Sequence, residues 1–117
     1  GRLGEALAMY QKALQMREKA LADEPTSIKK QRDLMFALSH IGDALGNPNL
    51  PNLGDTKGAV EAYRKMLDVA RKIQEADPAD QRARSDHAIA IMRVTALLGP
   101  EQAPEKIRLL RQAIEMQ

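Results

Sequence analysis

Two histidines, His40 and His87, are the side chains best suited to metal binding or to proton transfer near neutral pH. A zinc site needs three or four N, S or O ligands converging on one point. Neither histidine belongs to a His-Glu-x-x-His arrangement, and the chain has no cysteine to complete a ligand set. Phosphate binding by a glycine-rich loop fails in the same way. Gly42, Gly46, Gly54 and Gly58 are spaced like punctuation and lack the Lys-Ser/Thr that would follow a phosphate cradle. Carboxylates such as Asp33, Asp86 and Glu61 could act as acid and base only beside an apolar pocket that raises a pKa, and no such run surrounds them. The pattern therefore predicts a noncatalytic chain with no metal and no cofactor.

Composition agrees with this. Of 117 residues, 44% are hydrophobic and 29% charged but only 3% aromatic, which suits a folded, helix-rich chain better than a disordered or all-β one. Tyr10, Phe36 and Tyr63 are too few to form a stacking platform for single-stranded nucleic acid. Eighteen Lys and Arg against 16 Asp and Glu, spread along the chain, make no basic block of the kind that grips DNA, so no nucleic-acid partner is expected. The longest apolar run, Ala88 to Met92, is far short of the ~20 residues that span a bilayer, and no membrane partner is expected for this segment. The N-terminus lacks a signal-peptide pattern. Compartment is left open, with the cytoplasm favoured.

The elements that must position any site emerge when the chain is laid against itself. Gly1 to Leu14 and Gly54 to Leu67 superpose without gaps at an offset of 53 residues, tyrosine on tyrosine. The match continues through Glu24-Pro25 on Asp77-Pro78, Ala37-Leu38 on Ala90-Ile91, and Leu45-Gly46 on Leu98-Gly99. Pro104 to Met116 begins a third copy, with Leu110 in the tyrosine's place. Such repetition signals stacked units that share a continuous core.

Apolar residues at Leu3, Leu7, Tyr10, Ala13, Leu14 and Leu21 have the three- and four-residue spacing of an amphipathic helix. Pro25 and Pro78 end such helices, because proline cannot continue the hydrogen-bond ladder and restrains the residue before it. Ser27 and Asp80 are the expected N-caps of the next two, over about residues 28–45 and 81–98, with Gly46 and Gly99 expected to close them in a left-handed conformation. The organisation expected is a helix at about 2–23, a repeat at about 27–78 and another at about 80–117.

Leu38-x-x-Ile41-Gly42-x-x-Leu45, Gly58-Ala59-x-x-x-Tyr63-x-x-Met66-Leu67 and Asp77-Pro78 together resemble the tetratricopeptide repeat. That family's pattern has W-x2-L-G-x2-Y in one helix, A-x3-F in the next and a closing proline. Leu38 and Leu45 replace its first aromatic and its tyrosine. Its unit is about 34 residues; the longer period here fits about 5 extra residues before Gly58 and about 7 in each helix, nearly two turns, which keeps the buried face in register. This extended form is similar to degenerate arrays in bacterial multidomain proteins, often behind a serine/threonine kinase domain, on the stretches Gln31-Arg32-Asp33-Leu34, Ser39-His40-Ile41-Gly42-Asp43 and Ala76-Asp77-Pro78.

The resemblance implies an all-α, right-handed solenoid of about five antiparallel helices. Gly42, Ala6, Ala59 and Ala113 would be its close contacts, and Tyr10, Tyr63 and Leu110 its gap-fillers. It also implies that the first helix of each pair lines a concave, protein-binding surface. On that surface fall Lys29, Arg32, Phe36, Ser39 and Asp43, then Arg82, Ser85, Ile89 and Met92, with Ala96 closing the second stripe. Basic residues at one end and apolar ones in the middle suit a peptide with an acidic end and a hydrophobic anchor. The Lys/Asn clamp with which chaperone-binding relatives hold a peptide carboxylate is not expected here. Leu3 to Ala22 reads as a second helix without its partner, so self-association through exposed terminal helices, as an oligomerisation or spacer segment of a larger bacterial signalling protein, is the alternative.

Overall fold

The computed structural model describes residues 1–116. Among these the chain is all-helical: α1 (Arg2–Asp23), α2 (Ile28–Gly46), α3 (Thr56–Ala76), α4 (Gln81–Thr95) and α5 (Ala103–Glu115), with a 3₁₀ turn at Pro100–Gln102. Each helix packs against its neighbours in sequence. Side chains also tie alternate helices together, Arg32 of α2 to Asp80 at the head of α4 and Arg64 of α3 to Glu105 of α5, so the chain zigzags between two layers. The resulting slab measures 41 × 40 × 19 Å.

Local chemistry sets the helix starts. The Ser27 hydroxyl accepts the Lys30 N–H at 3.2 Å, and the Asp80 carboxylate accepts those of Arg82 and Ala83, as expected for both caps. Asp55 caps α3 by accepting the Gly58 N–H at 2.9 Å. Prolines 25 and 78 follow the ends of α1 and α3.

The two glycines expected to be left-handed are not. Gly46 remains inside α2, and Gly99 is extended at φ −84° and ψ 176°, the conformation that Pro100 favours in the residue before it. Gly46 is small for another reason. A Cβ there would come within 3.0 Å of both the Ala59 Cβ and the Asp55 carbonyl oxygen, so glycine lets α3 start against the end of α2. The left-handed glycine is Gly54, at φ 75°, where the connecting loop turns into α3. α4 also ends at Thr95, earlier than the expected Leu98. Beyond it Leu97 and Leu98 donate to carbonyls three residues back, tightening the chain into a turn before Pro100.

The core runs through Met35, Leu38, Ala59, Tyr63, Met66, Ala70, Ala90, Ile91, Val94 and Leu109. Tyr63 is 1% exposed and its ring lies close against Gly42, where a Cβ would approach its Cδ1 to 2.6 Å. Its hydroxyl donates to Asp43. Burial first, and then that carboxylate, push the phenol above its ordinary pKa, so it stays a donor. Tyr10 is only half-buried and stacks on His40, ring centroids 5.1 Å apart. In the third copy Leu110 is half-buried too, and Leu109 with Ala113 enters the core. Among the described residues the backbone of α5 lies closest to α4, and the stripe it buries runs through Leu109.

Replacing Tyr63 by alanine should lower stability by about 3–5 kcal/mol, because the emptied space lies between two rigid helices. Tyr63→Phe should cost about 1–3 kcal/mol, since the half-buried Asp43 carboxylate loses one of its donors. Urea denaturation of both variants measures the two contributions separately.

Candidate functional site

α2 and α4 are not packed directly together but are bridged at both ends by charged side chains. At one end the Arg32 guanidinium reaches Asp80 at 2.9 Å, with both side chains largely shielded. Burial alone would raise the Asp80 pKa, but the Arg32 hydrogen bond and the N–H groups of Ala83 and Arg82 outweigh it and hold the carboxyl below its usual range. At the other end Asp43 accepts from the Tyr63 hydroxyl and from Asn47 Nδ2 at 2.9 Å, and lies 3.6 Å from Arg93 Nε. Asn47 in turn orders the loop into α3, its Oδ1 accepting the Asn49 N–H and its carbonyl accepting from Asn52.

This geometry sorts the residues expected to face a partner. Arg32 and Asp43 are engaged within the chain, as the rungs between α2 and α4. Lys29 is exposed and pairs with Asp33 at 3.1 Å one turn along its own helix. Arg82 and Ser85 are exposed, and Ser39 is half-buried. Three apolar members project into solvent: Phe36 is 42% exposed, Ile89 46% and Met92 57%. Phe36 and Ile89 are repeat equivalents, as are Ser39 and Met92. Ser85 and Ile89 border a cleft of about 390 Å³ that opens toward α5, with Ala88 and Met116 on its walls, and α2 takes no part in it.

Sequence reasoning missed Arg93 and Asp80 as the partners that occupy Asp43 and Arg32. The signal for Asp80 was present, since a cap carboxylate has a free oxygen to offer; the Arg93 contact depends on the tertiary placement of α2 and α4. Also missed was the cleft of about 330 Å³ between α1 and α2, lined by Ala13, Met16, Arg17, Ala20, Lys29 and Asp33.

The two histidines do different work. His40 stacks on Tyr10. His87 is buried in α4, its Nδ1 without a partner, facing Arg71 and Glu75 of α3. Burial, helped by the Arg71 charge and opposed by Glu75, lowers its pKa. Asp86, shielded on the same helix, is pushed above the usual carboxylate range by burial, against the pull of Arg82 and Arg32. Among the described residues, no group of three or more His, Cys, Asp and Glu side chains is placed to hold a metal ion. None of their helices is long and apolar enough to cross a membrane.

Compared with known proteins, residues 1–25 match the tetratricopeptide-repeat family model. That match supports the tetratricopeptide-repeat family for this chain, and the packed helix pairs are consistent with its repeat. Such repeats serve protein–protein interaction in general. No curated protein and no solved structure matches the chain.

The lowered His87 pKa has a sign. The fold favours neutral imidazole, so its contribution is present above the ordinary value of about 6.5 and is lost as pH falls below it. His87→Leu, which installs the residue found at the equivalent Leu34, should flatten the fall in thermal midpoint between about pH 7 and pH 5. Thermal melts of both proteins across that range check it.

Proposed function

We propose that this chain is a noncatalytic protein-interaction module that holds a peptide or partner protein on the face formed by α2 and α4. The observation that carries the reading is the exposure of Phe36, Ile89 and Met92 on two helices whose other apolar side chains are largely buried. Exposed apolar side chains at equivalent places in successive repeats give a partner evenly spaced anchor points. Lys29 and Arg82, exposed at the N-terminal ends of the same helices, complete a surface for an apolar segment that ends in acidic residues. Arg32 and Asp43 shape this surface rather than touch the partner, because their charges are already matched across α2 and α4.

The test has two arms. The chain serves as bait to recover a binding partner, and the affinity of the purified pair is then measured by calorimetry. Ile89→Ser with Met92→Ser should weaken binding at least about tenfold while leaving the helix content unchanged, as expected for solvent-exposed anchors. Arg82→Glu should slow association and reduce its salt dependence. A partner indifferent to all three changes would sink this reading.

A further inference from the structure

We propose that the cleft between α3 and α5, floored by His87 of α4, is an oxyanion site that takes the phosphoryl group of a phosphorylated serine or threonine on a partner protein. α3 and α5 each pack on α4 and not on each other, which leaves a cleft of about 260 Å³ over α4. Arg64 of one wall holds Glu105 of the other at 2.6 Å. His87 is 7% exposed, and among the described residues nothing hydrogen-bonds its Nδ1. A buried polar atom left in that state is destabilising until a ligand meets it. The internal repeat shows that the fold does not require it. The corresponding cleft between α1 and α3, about 270 Å³, is built on Leu14, Leu34, Leu38 and Val69. Leu34 is the counterpart of His87, and Glu18 that of Arg71. From one copy to the next, an apolar floor has become an imidazole and an acid on the wall has become a guanidinium.

The charges that face His87 and its cleft specify the ligand. They are Arg64, Asp68, Arg71 and Glu75 from α3, and Glu105 and Arg108 from α5. Glu105 is taken by Arg64, which holds it through both terminal nitrogens at 2.6 and 2.9 Å. Arg108 comes no nearer that carboxylate than 3.9 Å, beyond hydrogen-bond distance. Arg71 meets only exposed acids of its own helix, Asp68 at 3.5 Å and Glu75 at 3.9 Å. One guanidinium on each wall therefore keeps most of its N–H donors for a ligand. The terminal oxygens of a phosphoryl group can accept from both arginines and from the ring below, a fuller match than a carboxylate makes. At about 260 Å³ the cleft is smaller than the ~300–1,000 Å³ of drug-sized ligand pockets, and suits one modified side chain. By itself the cleft disfavours imidazolium, since burial first and then Arg71 lower the His87 pKa against the pull of Glu75. An anion on Arg71 offsets that charge, so its binding and the protonation of His87 go together.

Ile89 and Met92, two and five residues after His87, lie on the other side of α4, so this site and the apolar face can fail independently. The chain's two histidines make the test direct, because proton NMR of the intact chain follows one imidazole in the cleft and one outside it. Sodium sulfate, whose charge is constant between about pH 5 and pH 8, should raise the His87 midpoint by about one unit over sodium chloride of equal ionic strength, and leave His40 unmoved. Arg71→Gln with Arg108→Gln, both at exposed positions, should abolish the shift with helix content unchanged. In a second arm the probe is the end-blocked peptide Gly-Ala-phosphoserine-Ala-Gly, titrated at about pH 6.5. It should bind at least about tenfold more tightly than its unphosphorylated form, and His87→Leu should weaken it about fivefold. Sulfate that moves His87 no more than it moves His40, or a shift that survives the loss of both arginines, overturns the proposal. So does a peptide that binds no better with its phosphate than without, or one indifferent to His87→Leu. Adenosine monophosphate binding more tightly than the phosphopeptide also overturns it, and would give the cleft to a nucleotide.

Discussion

The fit of Tyr63 between Gly42 and Asp43 is the constraint on which the rest of the structure depends. Gly42 allows α2 and α3 to approach until the ring lies on bare backbone, and Asp43 then gives the buried hydroxyl an acceptor. That same carboxylate takes a hydrogen bond from Asn47, which ties down the loop, and faces Arg93 of α4. One side chain thus connects three helices and a connection. Its cost of burial is offset because each neighbour brings a donor or a positive charge.

The repeat varies this fit in a physically consistent way. In the third copy the tyrosine becomes Leu110, and the residue equivalent to Asp43 becomes Ala96, so the hydroxyl and its acceptor disappear together. Glycine is no longer required at the same step, and Thr95 stands there, its hydroxyl returned to the Met92 carbonyl. α5 is fastened instead by Arg64, whose two guanidinium nitrogens hold Glu105 at 2.6 and 2.9 Å and keep that carboxyl below its usual pKa range. Between the copies, a polar contact between neighbouring helices has been exchanged for one that reaches past a helix.

The same economy explains why charge on α2 and α4 is a poor guide to which side chains face solvent. A sequence shows Lys29, Arg32 and Asp43 as one polar stripe, since helical period alone puts them on a common face of one helix, with Arg82 in the equivalent stripe of the next. Whether a charge faces solvent or a neighbour depends on how the helices are placed in space, and that brings Asp80 to Arg32 and Arg93 to Asp43. Apolar members of the stripe were easier to read. Phe36, Ile89 and Met92 project outward because the opposite sides of their helices, through Leu38, Ile91 and Val94, are already committed to the core.

Length of period, helix number and the caps at Ser27 and Asp80 were all legible in the residues, because each is decided within a few positions or by comparison of one copy with the next. The glycines were misjudged where their role was tertiary: Gly46 is small for the sake of Ala59 and Asp55, and the left-handed turn belongs to Gly54. Tyr10 and Tyr63 are indistinguishable in the sequence, yet one is stacked on a half-open face and the other is sealed in the core. Sequence determines which side chains a helix offers along a stripe; only the packing of a second helix across it, at a distance set by the smallest residue in the contact, decides which of them are buried, paired or left free.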